Sequence, residues 1–466
     1  LAIELESPDS HQIVQRQSDN MGMFPINGKI HFDCDYIEVR LTEIDLNQQL
    51  ISEPSEWKMI ANSYKPSGSS FYGSMQADVG WYQMEIRFSY QGVPVEFENV
   101  SPIGVGEVFL ISGQSNSANY GDTLLTPQDP RVSSWGPDNW QIAADPQPIA
   151  TGSGGSPWPA LGDNLVERYD VPVGLISVGW GGTSVDQWLP DAGDDLFSRI
   201  VLALDEVGPN GARALLWHQG ESDLAGGTST EDYTVRLSEI ITASRIEAGW
   251  ELPWIVAKAS FLPNYDTSDM ERIVNAQQAV IDADPLTFEG PYTDDLIGEQ
   301  WRYDSVHFNE LGLIEHANRW ETSILPIIPD YNVYDDDGDG IENDLDLCPN
   351  TLIDSEVNLE GCSDIQLDLD QDGIRNEHDN CSETPQGEPV YPDGCSDSQL
   401  GNEIQYECLG FSNVSHDYNY SAPSQLTFNI TAIIQNYCDE EIMYPSTHIV
   451  NNNSGITTSS DSANWR

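Results

Sequence analysis

Positive charge is scarce in this chain. Lys and Arg number 18 against 77 Asp and Glu in 466 residues, a formal net charge of −59. Phosphate backbones and anionic headgroups repel such a surface, which excludes nucleic-acid binding and peripheral membrane binding. Long apolar runs are missing too, and without 18 consecutive apolar residues nothing here spans a bilayer. Cysteine is almost absent before residue 348: Cys34 stands alone and reads as a buried free thiol. The chain opens at Leu1 with neither Met nor a charged-then-apolar leader, which points to a mature or trimmed product. Between 104 and 330 no His/Cys/Asp group has metal-ligand spacing, so catalysis there requires no metal.

Four stretches of different character are present. Residues 1–103 alternate apolar and polar positions between Gly, Pro, Asn and Ser clusters, most clearly from Trp81 to Phe88. That pattern predicts a small antiparallel β-sandwich. From 104 to 330 apolar strands (Val105–Ser112, Val171–Val178, Ala212–Trp217, Trp254–Ala259) alternate with helix-like stretches at 160–169, 196–207, 230–246, 270–283 and 310–324. Buried strands separated by amphipathic helices imply a three-layer α/β domain with a parallel sheet. Chemistry in such sheets gathers beyond the carboxyl ends of the strands. Residues 401–466 read as a small β segment, possibly cut short.

Residues 331–400 are acidic, with 20 Asp/Glu against the single Arg375 from 335 onward. Asp335, Asp337, Asp339, Gly340, Asp346, Cys348 and Cys362 recur 33 residues later as Asp368, Asp370, Asp372, Gly373, Asp379, Cys381 and Cys395. Oxygens at positions 1, 3 and 5 followed by Gly match the first half of an EF-hand-like Ca²⁺ loop. Asp346 and Asp379 then fill position 12, and the carbonyls of Ile341 and Ile374 add ligands after the Gly. The bland alternative is a disordered acidic linker, which normally has neither cysteines nor a fixed period. Six of the seven cysteines lie in this last third, which points to an oxidising, extracytoplasmic compartment.

Four strand ends of the middle domain carry chemistry-bearing residues. After the first strand, Gly113-Gln114-Ser115-Asn116 places Ser115 in a turn, either as a nucleophile before a helix N-terminus or as that helix's cap. After the second, Trp180-Gly181-Gly182-Thr183 offers backbone N–H groups without obstruction, or is an ordinary turn. After the third, His218-Gln219-Gly220-Glu221-Ser222-Asp223 supplies a carboxamide donor in Gln219, with acids that read equally as exposed loop residues. Before the last helix, Asp304-Ser305-Val306-His307 lets a carboxylate hold an imidazole from behind while the other ring nitrogen faces a serine.

Taken together, Gly113–Asn116, His218–Glu221 and Asp304–His307 resemble the signatures of the SGNH hydrolases. Within them the match is to the sialate O-acetylesterase-like and acetylxylan-esterase-like carbohydrate esterases. The resemblance covers 104–330 and extends loosely to 1–103, where His11-Gln-Ile-Val-Gln-Arg16 looks similar. It implies a flavodoxin-like fold, with Ser115 as nucleophile, His307 as general base and Asp304 as its partner. The oxyanion hole would use the Ser115 N–H, Gly181 or Gly182, and the Gln219 side chain. Asn116, Trp180 and Glu221 would contact substrate, and Glu221 is a second candidate for the acid. The acidic segment resembles thrombospondin type 3 repeats. That resemblance implies structural Ca²⁺, disulfides Cys348–Cys362 and Cys381–Cys395, and by remainder Cys408–Cys438.

The expected activity is removal of O-acetyl groups from a polysaccharide or glycan by a secreted or cell-surface enzyme. Trp135, Trp140, Trp158, Trp180 and Trp188 fall in loops between the motifs, where flat rings can stack on sugars, though Trp is also often buried. No long apolar lid is visible. Two alternatives are a lipase or thioesterase acting on another ester, and a non-catalytic glycan-binding surface protein.

Overall fold

The computed structural model describes residues 3–61, 63–329, most of 341–400, and two strands between 409 and 436. It comprises two compact units, Leu1–Tyr331 and Asn332–Arg466.

The first unit opens with β1 (Ile3–Ser7), β2 (Ile13–Gln15), β3 (Met21–Ile30), β4 (Tyr36–Glu43), β5 (Lys58–Ala61), β6 (Ser70–Asp78), β7 (Gly80–Tyr90) and β8 (Val93–Gly113). There follow β9 (Val132–Gly136), β10 (Asn139–Ile142), α1 (Trp158–Tyr169), β11 (Val173–Ser177), α2 (Phe197–Val207) and β12 (Ala214–His218). The remainder is α3 (Glu221–Gly226), α4 (Thr230–Ala248), β13 (Trp254–Lys258), α5 (Thr267–Ala283), β14 (Thr287–Tyr292) and α6 (Glu310–Ile324).

The central sheet runs β10-β9-β11-β8-β12-β13-β14. Every neighbouring pair in it is parallel except β10 with β9. Its strands are apolar on both faces because helices cover both. On β8, β12 and β13, Val108, Leu110, Leu215, Trp217, Trp254 and Val256 enter the core under α2, α4 and α5. The alternate residues Phe109, Ile111, Ala214, Leu216, Ile255 and Ala257 enter the core under α1 and α6. A period of two thus serves both helical layers. The five expected helices and four expected strands of this sheet are present with ends shifted by a few residues. The longest shift is in the first strand, β8, which begins at Val93.

The expected boundary at 103 falls inside β8. The N-terminal strands form a small β1-β3-β6 sheet, while β4, β5 and β7 extend the sheet that contains β8. The two sheets enclose a common core built on Phe24, Phe71, Ile37, Met84 and Phe88. β8 pairs with β7 as far as Gly80↔Val105, then passes to β11 from Glu107 and β12 from Phe109. Buried Glu107 fastens this passage. Its carboxylate accepts from Arg16 Nε (2.7 Å), Gln15 Nε2 (3.0 Å) and Arg213 Nε (2.8 Å). Cys34 is buried and unbridged.

In the second unit, Cys348–Cys362 and Cys381–Cys395 are disulfides, each with Cα atoms 4.9 Å apart. The sequence repeat is also a repeat of contacts. Asp346 and Asp379 each accept from the backbone N–H two residues on, at 2.7 Å. The Thr351 hydroxyl donates to Gly361 O, as Thr384 does to Gly394 O. An antiparallel pair, β15 (Leu409–Ala422) and β16 (Gln425–Asn436), ends the described chain. Asp335, Asp337, Asp339, Asp368, Cys408 and Cys438 lie outside the described residues.

Candidate active site

The four motifs lie where β8, β11, β12 and β14 leave the sheet. Ser115 follows β8 in a single 3₁₀ turn, Ser115–Ser117, where an α-helix was expected. The sharp exit depends on Gly113, whose φ is +129°. A Cβ there would lie 2.1 Å from the His218 carbonyl oxygen, because the ends of β8 and β12 touch. The cap position of this turn is Gln114, not Ser115, and no side-chain cap bond forms there.

Ser115 and His307 line one cavity of about 400 Å³, together with Gln114, Tyr120, Gly181, Gly182, Glu221 and Leu262. His307 Nδ1 lies 2.7 Å from Asp304 Oδ2. The other oxygen, Oδ1, accepts from the backbone N–H of His307 (2.7 Å) and of Val306 (2.9 Å). This short turn puts Ser305 at φ +74°. Burial raises the Asp304 pKa, but hydrogen bonds from the His307 and Val306 N–H groups and the His307 ring outweigh it and leave it below the usual value. Tyr120 stacks on the His307 ring with centroids 5.3 Å apart. Neither Tyr120 nor Gln114 was singled out in the sequence; Gln114 was visible inside the serine motif, Tyr120 carried no signal.

The two glycines differ. The Gly181 N–H donates to Thr151 Oγ1 at 2.8 Å. Gly182 stands in the left-handed region at φ +74° with open space around its Cα, and its N–H has no acceptor among the described residues. A side chain at Gly181 would collide with the Tyr120 hydroxyl.

Gln219 does not line the cavity. It is fully buried, and the two hydrogens of its Nε2 are shared among three acceptors, Gln114 Oε1 (3.1 Å), Thr183 O (3.0 Å) and Asp223 Oδ2 (2.6 Å). Tyr233 donates to its Oε1 at 2.9 Å. Gln219 is therefore a core cross-link, its amide consumed before it reaches the cavity. Gln114 stands at the wall instead, its Oε1 held by Gln219 and by the Ser222 N–H (3.1 Å). Its Nε2 has no acceptor among the described residues.

The acids after β12 are not loop acids either. Asp223 is buried and ties down Val185 N (2.8 Å) and Thr228 Oγ1 (2.8 Å). Glu221 Oε1 accepts from Asn116 Nδ2 at 2.8 Å and lies 3.6 Å from His218 Nε2. Burial raises the Glu221 pKa, but His218 and Asn116 overcome this and lower it. Asn116, expected against substrate, thus turns its amide inward. Of the five candidate tryptophans, Trp135, Trp140, Trp158 and Trp188 are core residues, and only Trp180, 41% exposed, faces solvent.

In the second unit, carboxylate oxygens of Asp370, Asp372 and Asp379 lie within 4.8 Å of one another. Buried Asp370 Oδ1 and Asp379 Oδ2 have no hydrogen-bond partner among the described residues. Converging carboxylates with oxygens left over are a donor set for a hard cation. No helix among the described residues is long and apolar enough to cross a membrane.

Residues 105–325 match the family described as carbohydrate esterase, sialic acid-specific acetylesterase, and 334–352 and 354–388 match the thrombospondin type 3 repeat. A probable carbohydrate esterase of Arabidopsis thaliana is 30% identical over 167 residues, covering 30% of this chain and 64% of that protein. Among solved structures, a carbohydrate acetylesterase from Xanthomonas citri is 14% identical with a TM-score of 0.46, covering 68% of this chain and 73% of that one. A family two carbohydrate esterase from Cellvibrio japonicus is 10% identical with a TM-score of 0.30, covering 70% and 95%.

Proposed function

We propose that the protein is a secreted serine esterase that removes O-acetyl groups from a glycan, a reading supported by the match of residues 105–325 to the carbohydrate-esterase family and of 334–352 and 354–388 to thrombospondin type 3 repeats. Ser115 Oγ attacks the acetyl carbonyl carbon as His307 Nε2 takes its proton. The tetrahedral intermediate collapses, the bond to the sugar oxygen breaks, and His307 returns the proton to that oxygen. Water then attacks the acetyl-serine by the same route, releasing acetate and restoring the hydroxyl. The backbone N–H groups of Ser115 and Gly182, with Gln114 Nε2, donate to the oxyanion. Asp304 fixes the ring tautomer and steadies the imidazolium.

The observation that carries this reading is that Asp304 holds one nitrogen of an imidazole whose ring shares a cavity with Ser115. A fluorophosphonate probe followed by peptide mass mapping tests it. Ser115 is expected to carry the label, and labelling elsewhere with Ser115 unmodified would overturn the assignment.

In the repeats, Asp370, Asp372 and Asp379 hold Ca²⁺, with the Ile374 carbonyl as a further ligand. Asp346 and Ile341 serve in the first repeat. When bound, the ion neutralises carboxylates that otherwise repel one another, so the repeats act as a semi-rigid spacer. Disulfides and Ca²⁺-binding repeats both suit an extracellular setting.

A further inference from the structure

The loop that follows the nucleophile comes back to the base. Asn119 pins it: its Nδ2 donates to Gln147 O (3.0 Å) and Ala150 O (2.9 Å), and its Oδ1 accepts from the Gln147 N–H (2.7 Å). Gly121 and Gly155 exchange backbone hydrogen bonds at 2.8 and 2.9 Å, and the Asp122 N–H donates to Phe308 O at 3.2 Å. Tyr120 therefore stands on a fixed segment whose far end is tied to the residue after His307.

The Tyr120 ring fills a space that two glycines leave open. A Cβ at Gly152 would lie 3.0 Å from its Cδ2, and one at Gly181 would lie 2.3 Å from its hydroxyl oxygen. The ring is stacked on the His307 imidazole, with centroids 5.3 Å apart and planes inclined by 27°. The hydroxyl has no hydrogen-bond partner among the described residues, so the contact with His307 belongs to the ring. The His307 side chain is only 20% exposed, so water screens this contact weakly. Tyr303, the other tyrosine near the imidazole, is exposed and its centroid is 6.4 Å away.

We infer that Tyr120 is a positioning residue that acts through the base: Asp304 sets where the imidazole stands, and the Tyr120 ring favours its charged form. The inference rests on the esterase reading and adds a residue to that site. The face of an aromatic ring is negative and attracts a cation within about 6 Å of its centroid. Tyr120 lies inside that range and Tyr303 outside it. A neutral imidazole gains only packing from the stack, whereas the imidazolium formed as Ser115 Oγ loses its proton gains the attraction as well. An interaction that grows toward the transition state raises kcat and leaves KM nearly unchanged.

The test measures p-nitrophenyl acetate hydrolysis by wild type, Tyr120→Phe, Tyr120→Leu, Tyr303→Leu and Tyr120→trifluorophenylalanine. The last ring is close to Phe in size, but its fluorines withdraw the negative charge from its face. Tyr120→Phe and Tyr303→Leu should stay within about threefold of wild type. Tyr120→Leu should lower kcat about tenfold with KM held, equivalent to about 1.4 kcal/mol, and the fluorinated variant should fall toward it. The inference is overturned by Tyr120→Leu within about threefold of wild type, by a loss mainly in KM, by equal kcat for Phe and its fluorinated form, or by an equal loss in Tyr303→Leu. If wild type hydrolyses no ester, the esterase reading fails by itself. NMR titration of the His307 ring then decides the stack, with Asp304 from its own turn and Glu221 from α3 kept in every protein. The ring should stay protonated to higher pH in wild type than in Tyr120→Leu, and identical titration overturns the inference.

Discussion

One carboxylate holds both the backbone and the ring of His307. Asp304 Oδ1 takes the His307 N–H and Oδ2 lies against Nδ1, each at 2.7 Å. The position of the residue and the orientation of its ring therefore depend on a single side chain three positions away, at the start of a turn whose Ser305 is left-handed.

Asp304→Asn should keep the turn, since its side-chain oxygen can still accept from the backbone, but favour the wrong imidazole tautomer. A fall in kcat on the order of 10²–10⁴ on p-nitrophenyl acetate is expected, with little change in melting temperature. A variant within threefold of wild type would show that Asp304 does not orient the base.

Glu107→Ala should be severe for a different reason. It leaves Arg16 and Arg213 facing each other in the interior where the N-terminal strands meet the central sheet. Breaking a buried ion pair on one side costs on the order of 3–5 kcal/mol. A large drop in melting temperature is expected, and a shift equivalent to less than about 1 kcal/mol would contradict the account.

Glu206 has its pKa pushed up to about 7 by burial, although Trp140 Nε1 donates to it at 2.7 Å. The folded state therefore binds its proton more tightly than the unfolded state. The stability this adds is full below about pH 4.5 and is lost as pH rises through about 7. Glu206→Gln keeps the Trp140 acceptor and removes the titration. Relative to this variant, wild type should lose on the order of 1–3 kcal/mol between pH 4.5 and 8, read from guanidinium midpoints. A difference independent of pH would count against the shift.

Removing Ca²⁺ should loosen the repeats. With chelator, small-angle scattering should report a larger radius of gyration. Asp370→Asn/Asp379→Asn should resemble the chelated protein even in excess Ca²⁺. Identical dimensions in all conditions would remove the calcium reading.

The sheet was legible because β8, β11, β12 and β13 are buried on both faces and read as unbroken apolar runs. β14 escaped notice because it is an edge strand, where Glu289, Gly290 and Pro291 are tolerated. The continuity of β8 was hidden because Val93–Phe97 is largely exposed and Pro102 reads as punctuation. At the site, spacing revealed which residue types gather but not which of two glutamines faces the cavity. Gln114 and Gln219 are hydrogen-bonded to each other, and which of them lines the cavity depends on Thr183, Asp223 and Ser222, contacts between loops far apart in sequence. The tryptophans stayed undecided for a similar reason: a position between motifs does not disclose whether an indole turns into the core.

Acetate release from acetylated polysaccharide by purified wild type and Ser115→Ala tests the esterase assignment most directly. Wild type should release acetate, and the variant should fall by on the order of 10³ or more while its melting temperature holds. Hydrolysis by Ser115→Ala at a rate near that of wild type would contradict it.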